Sequence, residues 1–348
     1  MDIAAQHSLS GNAAKRSSVL ERKHLYIAWV RFQRRPLSMG EFVGYELVHI
    51  PPATKRAAKP FGYLMQAVRT IAAVRRHRPD VLWFQSPPSV LVYLIAALRL
   101  VSRRKFRVVA DCHNGALDPR LHNGLWTSLP GVNALMNRFD VVLAHNEEIH
   151  AIAAERGIDR DRLVTLETRP SPLPVIDTLA RPDHPTVLVP CSFQADEPIA
   201  MLIDAARSLP EFRFKLTGNR ARAEAAGYVA TAPGNVEFTG FLDADAYTDL
   251  LIHADIVLGL TNLDGIQLSA ANEAVGAGRP LVLSDTSVLR ALFGEAALFA
   301  SNDAAPLAAA LAEARDRLPE LAQASRRLKM GREARWQAQM QQVLARLA

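Results

Sequence analysis

The sequence has 348 residues, of which 49% are hydrophobic and 22% charged, an ordinary composition for a globular chain of about two domains. Its two cysteines, Cys112 and Cys191, lie far apart and offer neither a disulfide framework nor metal-site spacing, so a reducing, cytoplasmic environment is expected. The longest apolar run, residues 90–98, is shorter than the roughly 20 residues that cross a bilayer. These features argue against a disulfide-rich scaffold and against an integral membrane protein.

Charge is unevenly distributed along the chain. Residues 1–110 hold nineteen Lys and Arg against five Asp and Glu, a balance of +14, so the remainder carries −8 of the net +6. A basic front half and an acidic back half indicate two domains with different partners. One cationic cluster, Arg31, Arg34 and Arg35, would attract anionic lipid or a lipid diphosphate, although a solvated basic surface explains it equally well. No nucleic-acid-binding pattern accompanies the charge, so nucleic acid is not an expected partner.

The front half predicts alternating strands and helices. The predicted strands are residues 25–30, 45–50, 81–85, 107–111 and 141–144, and the clearest helices are residues 61–77 and 147–156. This alternation predicts an α/β domain with a parallel sheet. No GxGxxG string follows the first strand, so a nicotinamide-dependent enzyme is not expected. A further helix at residues 89–100 is apolar on nearly every side, which fits either burial or contact with a membrane.

The loop after the fourth predicted strand carries the most reactive side chains of the front half. Asp111, His113 and Asn114 follow one another there within four positions. The carboxyl edge of a parallel sheet is where open α/β folds bind ligands. An Asp can act as a general base, and so can a His near neutral pH. The alternative is that Asp111 caps the strand and His113 is structural.

The back half centres on residues 258–285, a βαβ unit that reads LGLTNLDGIQLSAANEAVGAGRPLVLSD. Its first strand ends in a polar loop, residues 261–265, and a helix follows at residues 269–277. Gly265 lets the backbone approach a ligand closely, and the helix start suits a phosphate. Glu273 on that helix suits the hydrogen bonds of a ribose diol, although a lone helix acid also commonly faces solvent.

The Glu273-Ala274 pair and the Gly278-Arg279-Pro280 turn resemble the donor-sugar motif of family-4 glycosyltransferases of the GT-B fold. The resemblance implies an α/β architecture of two Rossmann-like domains facing a cleft, with a C-terminal helix that packs back on the first domain. It implies transfer from a nucleotide-diphospho-sugar without an obligatory metal, and it makes Glu273 the ribose ligand. The donor-binding residues that it implies are Glu273, Asp264, Gly265, Ile266, Gln267, Leu268, Gly218, Asn219, Arg220, Ser192 and Phe241.

This sequence departs from the family pattern at two places. The family spaces its two acids eight apart, which falls on Gly265, and Asp264 lies one position before it. The family also places an Arg and a Lys in the first loop of the second domain, where this chain has Ser192 and Glu197. Other cations, such as Arg220, or backbone amides after Gly265 could neutralise the diphosphate instead. The alternative is that donor binding is lost.

The string Asp111-Cys112-His113-Asn114 resembles the acceptor-side loop of the β-mannosyltransferase that extends dolichol-linked chitobiose. That resemblance implies catalytic roles for Asp111 and His113. Either one would deprotonate the acceptor hydroxyl if configuration is inverted, and His113 would touch the donor sugar if it is retained. Acceptor or membrane contacts are expected at Asn114, Arg34 and Arg35. No cofactor and no metal is expected beyond the UDP- or GDP-linked donor.

Three prolines within residues 169–174 predict a stiff linker between the domains. The predicted divisions are a mobile tail, 1–22; an acceptor-binding Rossmann-like domain, 23–168; the linker, 169–180; a nucleotide-sugar-binding Rossmann-like domain, 181–330; and a C-terminal crossover helix, 331–348.

The expected function is transfer of a sugar to a lipid-linked or other glycan acceptor during exopolysaccharide or surface-glycan synthesis. The expected place is the cytoplasmic face of the cell membrane. A nucleotide-sugar epimerase on the same fold and a non-catalytic scaffold stay open as alternatives. Fold resemblance alone does not establish a reaction.

Overall fold

A computed structural model describes residues 18–31, 33–52, 59–118, 120–121, 129–177 and 182–348. Most of the predicted 1–22 tail and residues 178–180 of the predicted linker lie outside these ranges. The backbone contacts divide the chain into two units. Unit 1 comprises Met1–Arg169 and Ala334–Ala348, and unit 2 comprises Pro170–Glu333. The division falls directly after Arg169, at the first residue of the predicted linker.

Unit 1 is built on a parallel sheet covered by helices. Its strands are β1 His24–Ala28, β2 Glu46–His49, β3 Val81–Ser86, β4 Arg107–Cys112, β5 Val141–Ala144 and β6 Leu163–Thr165. Its helices are α1 Arg34–Val43, α2 Lys59–His77, α3 Ser89–Val101, α4 Asn114–Leu117, α5 Val132–Met136 and α6 Glu147–Glu155. Among the described residues the strand order is β2-β1-β3-β4-β5-β6, and every paired strand is parallel.

Most side chains of the central strands of unit 1 are apolar, because both faces of the sheet are covered. In β1, Leu25 and Ile27 pack into the core under α3. Tyr26 and Ala28 point to the opposite face and pack into a second core. This period-two alternation, with both positions buried, is typical of a parallel sheet between two helical layers.

Unit 2 repeats the plan with its own sheet. Its strands are β7 Thr186–Pro190, β8 Arg213–Thr217, β9 Val236–Gly240, β10 Ile256–Gly259, β11 Leu281–Ser284 and β12 Ala297–Ala300. Its helices are α7 Ile199–Arg207, α8 Arg220–Ala225, α9 Tyr228–Thr231, α10 Ala244–His253, α11 Ser269–Gly276, α12 Ser287–Phe293 and α13 Ala304–Asp316. Over the described part of the chain the parallel order is β12-β11-β10-β7-β8-β9. The predicted α/β class with two Rossmann-like domains is therefore confirmed.

The last helix, α14, runs without a break over Leu318–Leu347 and contributes to both units. Its final turns bury Trp336, Met340 and Leu344 in the unit 1 core that also contains Tyr26. The predicted return of the C-terminal helix onto the first domain is confirmed. The predicted start at residue 331 is wrong, because the helix begins at Leu318 and residue 331 lies in its interior.

The N-terminal edge of unit 1 begins earlier than the sequence suggested. Val19 is fully buried and packs with the α14 side of the sheet. Its carbonyl oxygen accepts a hydrogen bond at 2.9 Å from the Nε2 of His24, which is itself buried. Residues 18–22, placed in the predicted mobile tail, thus belong to the packed unit. Among the described residues, no helix is both long and apolar enough to cross a bilayer.

Candidate functional site

Each sheet has a switch point, where the chain reverses its direction of strand addition, and ligands of open α/β sheets bind outside the carboxyl ends of the strands there. In unit 1 the switch lies between β1 and β3, and in unit 2 it lies between β7 and β10. The predicted catalytic loop follows β4, next to β3, and the predicted donor loops follow β7 and β10. The candidate residues therefore lie at the expected edge of each sheet.

A pocket of about 440 Å³ opens at the switch point of unit 1. The described residues that line it are Val30, Gln33, Gln85, Pro87, His113, Gly115 and Leu121. Its walls combine apolar side chains with two amides and an imidazole. A sugar ring presents both hydroxyl groups and apolar C–H faces, and such a mixed lining suits it.

Several polar atoms at this pocket have no hydrogen-bond partner among the residues that the structure describes. The Oε1 atoms of Gln33 and Gln85 are buried and unpartnered, and so is the Oδ1 atom of Asn114. Gln85 is only 6% exposed, and Ser86 beside it is fully buried with an unpartnered hydroxyl. Buried polar groups are nearly always paired in folded proteins, because an unpaired one costs about 1–3 kcal/mol. These acceptors are therefore poised to receive hydrogen bonds from a hydroxylated ligand.

His113 lines this pocket and is held as a neutral imidazole. The Nε2 of Gln33 donates to its Nε2 at 2.6 Å, so the ring accepts a hydrogen bond. Burial, and then the neighbouring ring of His145 at 4.7 Å between centroids, lower the pKa of His113 to about 3. At neutral pH the ring is thus uncharged and can accept a proton, although only as a weak base.

Asp111 does not have the surroundings of a general base, which corrects the predicted role. Its carboxylate is fully buried and accepts hydrogen bonds from Tyr26 at 2.7 Å, from Arg35 at 3.1 Å and from the ring of His145 at 3.3 Å. Burial alone would raise the pKa of Asp111. The charge of Arg35, with the His145 hydrogen bond, outweighs it and holds that pKa far below its usual range. A carboxylate with so many donors is a poor proton acceptor, and Asp111 instead anchors the loop that carries His113.

Arg35 is the second correction. The sequence placed it in a basic surface cluster, but only 4% of its side chain is exposed. Besides Asp111, its guanidinium donates to the carbonyl oxygens of Leu166 and Glu167, both at 2.8 Å. Arg35 therefore joins α1, β4 and the segment after β6, and it offers no charge to a membrane or an acceptor. Its neighbour Arg34 is half-buried at the start of α1, and Asn114 begins α4 beside the pocket.

In unit 2, three strand ends are held together at the carboxyl edge. The carbonyl oxygen of Thr217 accepts from the N–H of Cys191 at 3.2 Å, and the N–H of Gly218 donates to Gly240 at 3.0 Å. Gly218 has φ of 127°, and a Cβ there would lie 2.0 Å from the carbonyl oxygen of Cys191. Only glycine fits this position, because the backbone after β7 passes directly against it.

The two loops at the unit 2 switch point also touch each other. The N–H of Asn262, after β10, donates to the carbonyl oxygen of Asp196, after β7, at 2.6 Å. Gly265 is exposed with φ of 91°, and Ile266, Gln267 and Leu268 are half-buried as the chain enters α11. Leu268 gives α11 no side-chain cap, so the start of this helix has no carboxylate or hydroxyl of its own in that position. Such a helix start attracts an anion.

Glu273 lies on the second turn of α11 and is half-buried. Its Oε2 accepts a hydrogen bond from the hydroxyl of Tyr247 at 2.7 Å. A tyrosine on α10 therefore orients this carboxylate. The arrangement is compatible with a diol ligand, although the carboxylate is already engaged in part.

Asp264 has a structural role in this conformation. Its carboxylate accepts from the hydroxyl of Ser287 at 2.9 and 3.0 Å, and from its neighbour's N–H at Gly265 at 3.0 Å. The Ser287 hydrogen bond lowers the pKa of Asp264. The side chain thus ties the loop after β10 to the start of α12. This contact gives a structural reason for the acid at position 264, one position before the acid of the family pattern.

The loop after β7 surrounds a carboxylate of its own. Glu197 accepts hydrogen bonds from the N–H of Ser192 at 2.9 Å, from the Ser192 hydroxyl at 3.0 Å and from the N–H of Gln194 at 3.1 Å. Backbone N–H groups converging in this way form an anion-binding nest. Arg222 reaches the same loop and donates to the carbonyl oxygen of Ser192 at 3.2 Å.

The remaining predicted donor residues surround this loop without converging on one point. Asn219 caps α8 by accepting from the N–H of Arg222 at 3.3 Å. Arg220 is exposed and donates to Glu224 at 2.9 Å and to the carbonyl oxygen of Phe238 at 3.2 Å. Phe241 follows β9 with 80% of its side chain exposed. Across the described residues, no group of three His, Cys, Asp or Glu is arranged to hold a metal ion.

Sequence reasoning missed the side chains that complete these sites. Gln33, Gln85 and His145 in unit 1, and Tyr247 in unit 2, were not predicted. Gln85 had a usable signal, because a polar residue closes an otherwise apolar strand at the ligand-binding edge. Tyr247 had none, because its contact with Glu273 spans 26 residues of sequence.

Two family models match the chain, one in each half. A "Glycosyl transferase 4-like domain" matches residues 29–168, and "Glycosyl transferase-like" matches residues 197–345. No curated protein sequence matches significantly.

Solved structures give the same fold. Sucrose-phosphate synthase from Thermosynechococcus elongatus has a TM-score of 0.67 at 16% identity and covers 94% of this chain and 99% of its own. HepE of Anabaena in complex with UDP-glucose has a TM-score of 0.63 at 14% identity, with 93% and 98% covered. A glycosyltransferase from Rickettsia africae has a TM-score of 0.61 at 12% identity, with 93% and 99% covered. At these identities the likeness shows the GT-B fold and leaves the reaction open.

Proposed function

We propose that this chain, which belongs to the family-4-like glycosyltransferases of the GT-B fold, moves a sugar from a UDP- or GDP-linked donor to a lipid-linked glycan. We place this reaction in exopolysaccharide or other surface-glycan synthesis. The observation that carries the proposal is the unit 1 pocket, where buried amide oxygens and a neutral imidazole face about 440 Å³ of space. That lining is built to receive hydroxyl groups.

The acceptor sugar binds in this pocket. Gln33 and Gln85 accept hydrogen bonds from its hydroxyls, and Val30, Pro87 and Leu121 supply an apolar wall for its C–H face. Because the pKa of His113 is lowered to about 3, the pocket's imidazole is neutral at physiological pH. The described lining therefore presents no charge to the acceptor, and a neutral sugar fits it best.

A lipid-linked acceptor is supported by an exposed apolar stripe on α2. Phe61 is 65% exposed, Leu64 59% and Val68 51%, and their spacing puts them on one face of the helix. The same part of α2 packs against the loop after β1, where Tyr63 contacts the ring of Trp29 at 6.0 Å between centroids. That loop continues into the pocket at Val30. An apolar face of this kind beside a basic domain suits an interfacial membrane contact.

The donor binds at the switch point of unit 2. HepE, a structural neighbour, is described in complex with UDP-glucose, which supports a nucleotide-sugar here. Glu273 holds the ribose diol, the uncapped start of α11 faces the diphosphate, and Arg222 adds a cation. Oriented N–H groups and a cation can stabilise the leaving diphosphate without a metal. We therefore propose a metal-independent reaction.

His113 contacts the acceptor hydroxyl in this scheme. Its Nε2 releases Gln33 and accepts the proton of the attacking hydroxyl, whose oxygen bonds to the anomeric carbon of the donor sugar as the bond from that carbon to the nucleoside diphosphate breaks and the diphosphate leaves. An imidazole with a pKa of about 3 removes a proton only once the hydroxyl oxygen has become acidic through bonding. Asp111 acts indirectly, by fixing His145 and the loop that carries His113.

The first test is a thermal-shift titration of the purified chain with UDP, GDP, ADP and dTDP, without metal and then with Mg²⁺. A ligand at about 100 times its dissociation constant stabilises a protein by about 2.7 kcal/mol. We expect a clear shift with UDP or GDP in the absence of metal. Glu273→Ala should weaken that binding by about 1.5–3 kcal/mol, since it removes charged hydrogen bonds. The matched control is Glu295→Ala, an exposed acid elsewhere in unit 2, which should leave binding unchanged.

The second test separates transfer from the alternatives. Incubation with the donor that binds, with and without lipid-linked glycans, should give product only when the acceptor is present. His113→Ala should abolish transfer and leave the nucleotide-induced shift intact. Conversion of the donor in the absence of acceptor would identify an epimerase. No shift with any nucleotide would favour a non-catalytic scaffold and overturn the proposal.

A further inference from the structure

A second pocket lies on the opposite edge of the unit 1 sheet. It encloses about 640 Å³, and the described residues that line it are Arg22, Asp80, Arg99, Lys105, Phe106 and Arg107. Arg22 comes just before β1, Asp80 just before β3, and Arg107 begins β4. All of these positions lie at the amino ends of the strands. Six residues of β4 separate Arg107 from His113, or about 20 Å of extended chain.

The charges at this pocket are not balanced. Arg99 and Arg107 share one buried carboxylate, Asp140, at 2.9 and 2.8 Å. Asp80, the carboxylate of the lining, pairs with Arg104 at 2.5 Å. Arg22 donates to the carbonyl oxygen of Leu347 at 2.7 Å and to that of Ala348 at 3.3 Å. Lys105 is exposed and has no ion pair among the described residues.

The lining thus holds four cations and one carboxylate on a concave surface. With their ion-pair partners Asp140 and Arg104 included, five cations stand against two carboxylates. A cleft lined by one sign of charge concentrates the field and raises the local concentration of counter-ions. Surface cations that only confer solubility have no reason to converge on a cavity, since their mutual repulsion is lower when they are spread out. The convergence therefore indicates an anionic ligand.

We propose that this amino-edge pocket binds a phosphate-bearing anion, as a site separate from the acceptor pocket. Phosphate groups suit it, because guanidinium groups bind phosphate oxygens in pairs and Lys105 can add a mobile charge. The volume, about 640 Å³, has room for a phosphate with further atoms attached. This inference does not depend on the identity of the donor or the acceptor.

The phosphate has two possible sources, a soluble phosphorylated compound or the headgroup of an anionic lipid. The lipid source is supported by the end of α3, which borders the pocket at Arg99. Leu100 is 77% exposed and Val101 73% exposed, directly beside the cationic residues. Apolar side chains next to cations are the usual combination at a membrane surface.

The test compares the full chain with the double variant Lys105→Gln/Arg107→Gln. Binding of inorganic pyrophosphate is measured by calorimetry with UDP in excess, so that the donor site proposed above is filled. Binding to phosphatidylcholine vesicles, with and without phosphatidylglycerol, is measured by co-sedimentation. The double variant should weaken the binding of one or both probes by at least about tenfold, because hydrogen bonds to charged groups are lost. The matched control is Arg156→Gln/Arg160→Gln, two exposed cations of unit 1 outside the pocket.

A third variant, Leu100→Ser/Val101→Ser, distinguishes the two sources. Loss of vesicle binding with pyrophosphate binding retained would identify a lipid headgroup. Pyrophosphate binding that depends on Lys105 and Arg107, without any vesicle binding, would identify a soluble ligand. If neither probe binds, or if both double charge variants behave alike, the inference is wrong. A failure to bind UDP would contradict the proposed donor site. The test of the amino-edge pocket would still hold, because it compares the probe affinities of the two double charge variants with each other.

Discussion

The polar groups at the two switch points differ in whether they are already hydrogen-bonded within the protein. In unit 1, the buried Oε1 atoms of Gln33 and Gln85 have no hydrogen-bond partner among the described residues, so a ligand can donate to these oxygens without displacing a contact of theirs. In unit 2, the carboxylates at the corresponding edge are already engaged. Glu197 is held by loop N–H groups, Asp264 by Ser287, and Glu273 accepts from Tyr247. Under the proposed function, the unit 1 pocket is preformed for an acceptor, whereas a donor at unit 2 would have to compete with contacts inside the protein.

The units also differ in how their loops are supported. The unit 1 loop stands on a buried ion pair, Arg35 with Asp111. The unit 2 loops depend on backbone fit, with Gly218 against Cys191. Each support can be removed by a separate substitution. Tryptophan fluorescence reports on the unfolding of unit 1, because the four tryptophans of the sequence, at positions 29, 83, 126 and 336, belong to that unit.

The largest effect is expected for Asp111→Ala. The substitution leaves the guanidinium of Arg35 buried without its counter-ion, and breaking a buried pair in this way costs about 3–5 kcal/mol. Urea denaturation followed by tryptophan fluorescence should show this loss in unit 1. Asp140→Ala is a useful comparison, because the partners of Asp140, Arg99 and Arg107, are part-exposed and can be solvated. Equal losses for the two variants would contradict a special role for the Arg35–Asp111 pair.

In unit 2 the largest effect is expected for Gly218→Ala. An alanine would be strained at φ of 127° and would press its Cβ against the carbonyl oxygen of Cys191, so more than about 2 kcal/mol should be lost. Gly227→Ala is the control. Gly227 also has positive φ, at 78°, but a Cβ there meets nothing within 4 Å, so only about 1 kcal/mol is expected. Scanning calorimetry measures both, and a similar cost at the two sites would mean that the β7 loop moves aside easily.

Acid should unfold unit 1 before unit 2. Burial lowers the pKa of His24 and of His145, and it lowers that of His113 to about 3. The unfolded chain binds protons at these histidines below about pH 6.5 while the folded chain does not, so stability is complete above 6.5 and is lost as the pH falls toward 3. Each histidine contributes a slope of up to about 1.4 kcal/mol per pH unit.

Tryptophan fluorescence against pH, at a fixed urea concentration, measures this slope. His113→Gln should flatten it, because one titrating group is removed. The loss of the Asp111 contribution adds to the slope only at lower pH, once the pH falls below the usual range of an aspartate. If the stability of unit 1 did not change between pH 6.5 and pH 4, the histidines would be accessible to protons in the folded state.

Helices and strands set by local sequence were predicted better than features that depend on contacts between residues far apart in the chain. The βαβ unit around Glu273 was predicted closely, because its strands and helix follow from local periodicity, and the helix predicted at residues 269–277 is α11, Ser269–Gly276. Strand β6 was missed because three residues are too short for a pattern. Helix α1 was also missed, because Pro36 lies in its first turn and Gly40 in its interior, and both residues disfavour a helix there.

The site was predicted less well than the fold. Arg35 looked like one of several surface cations, and only the tertiary structure brings it to Asp111, 76 residues away. Because of this contact Asp111 holds its loop in place, whereas the sequence predicted it to be a general base. The nest around Glu197 depends on backbone N–H groups that turn toward one another, a geometry that the residue identities of the loop 191–198 do not reveal.

Gln85→Leu tests whether the unpartnered acceptors of unit 1 are kept for function. Removing a buried amide whose oxygen has no partner among the described residues should leave stability unchanged or raise it by about 1 kcal/mol, while the KM for the acceptor rises about 3- to 10-fold. Gln66→Leu is the control, because Gln66 is equally buried but donates to the carbonyl oxygen of Ile50 at 2.9 Å. That variant should lose about 1–3 kcal/mol of stability. A loss of stability in Gln85→Leu would mean that the amide is satisfied in solution.

The smallest effect is expected for Glu197→Gln. Its direction tests whether a carboxylate at the edge of the unit 2 sheet opposes donor binding. The glutamine keeps the shape of the nest and removes a negative charge that would repel a diphosphate at the same edge. UDP binding should therefore tighten by about 1 kcal/mol or less, in keeping with a partly solvated charge. Glu237→Gln, an exposed acid paired with Lys215, should not change it. Weaker UDP binding in Glu197→Gln would show that this carboxylate shapes the loop for the donor instead of competing with it, and unit 2 would then be as preformed as unit 1.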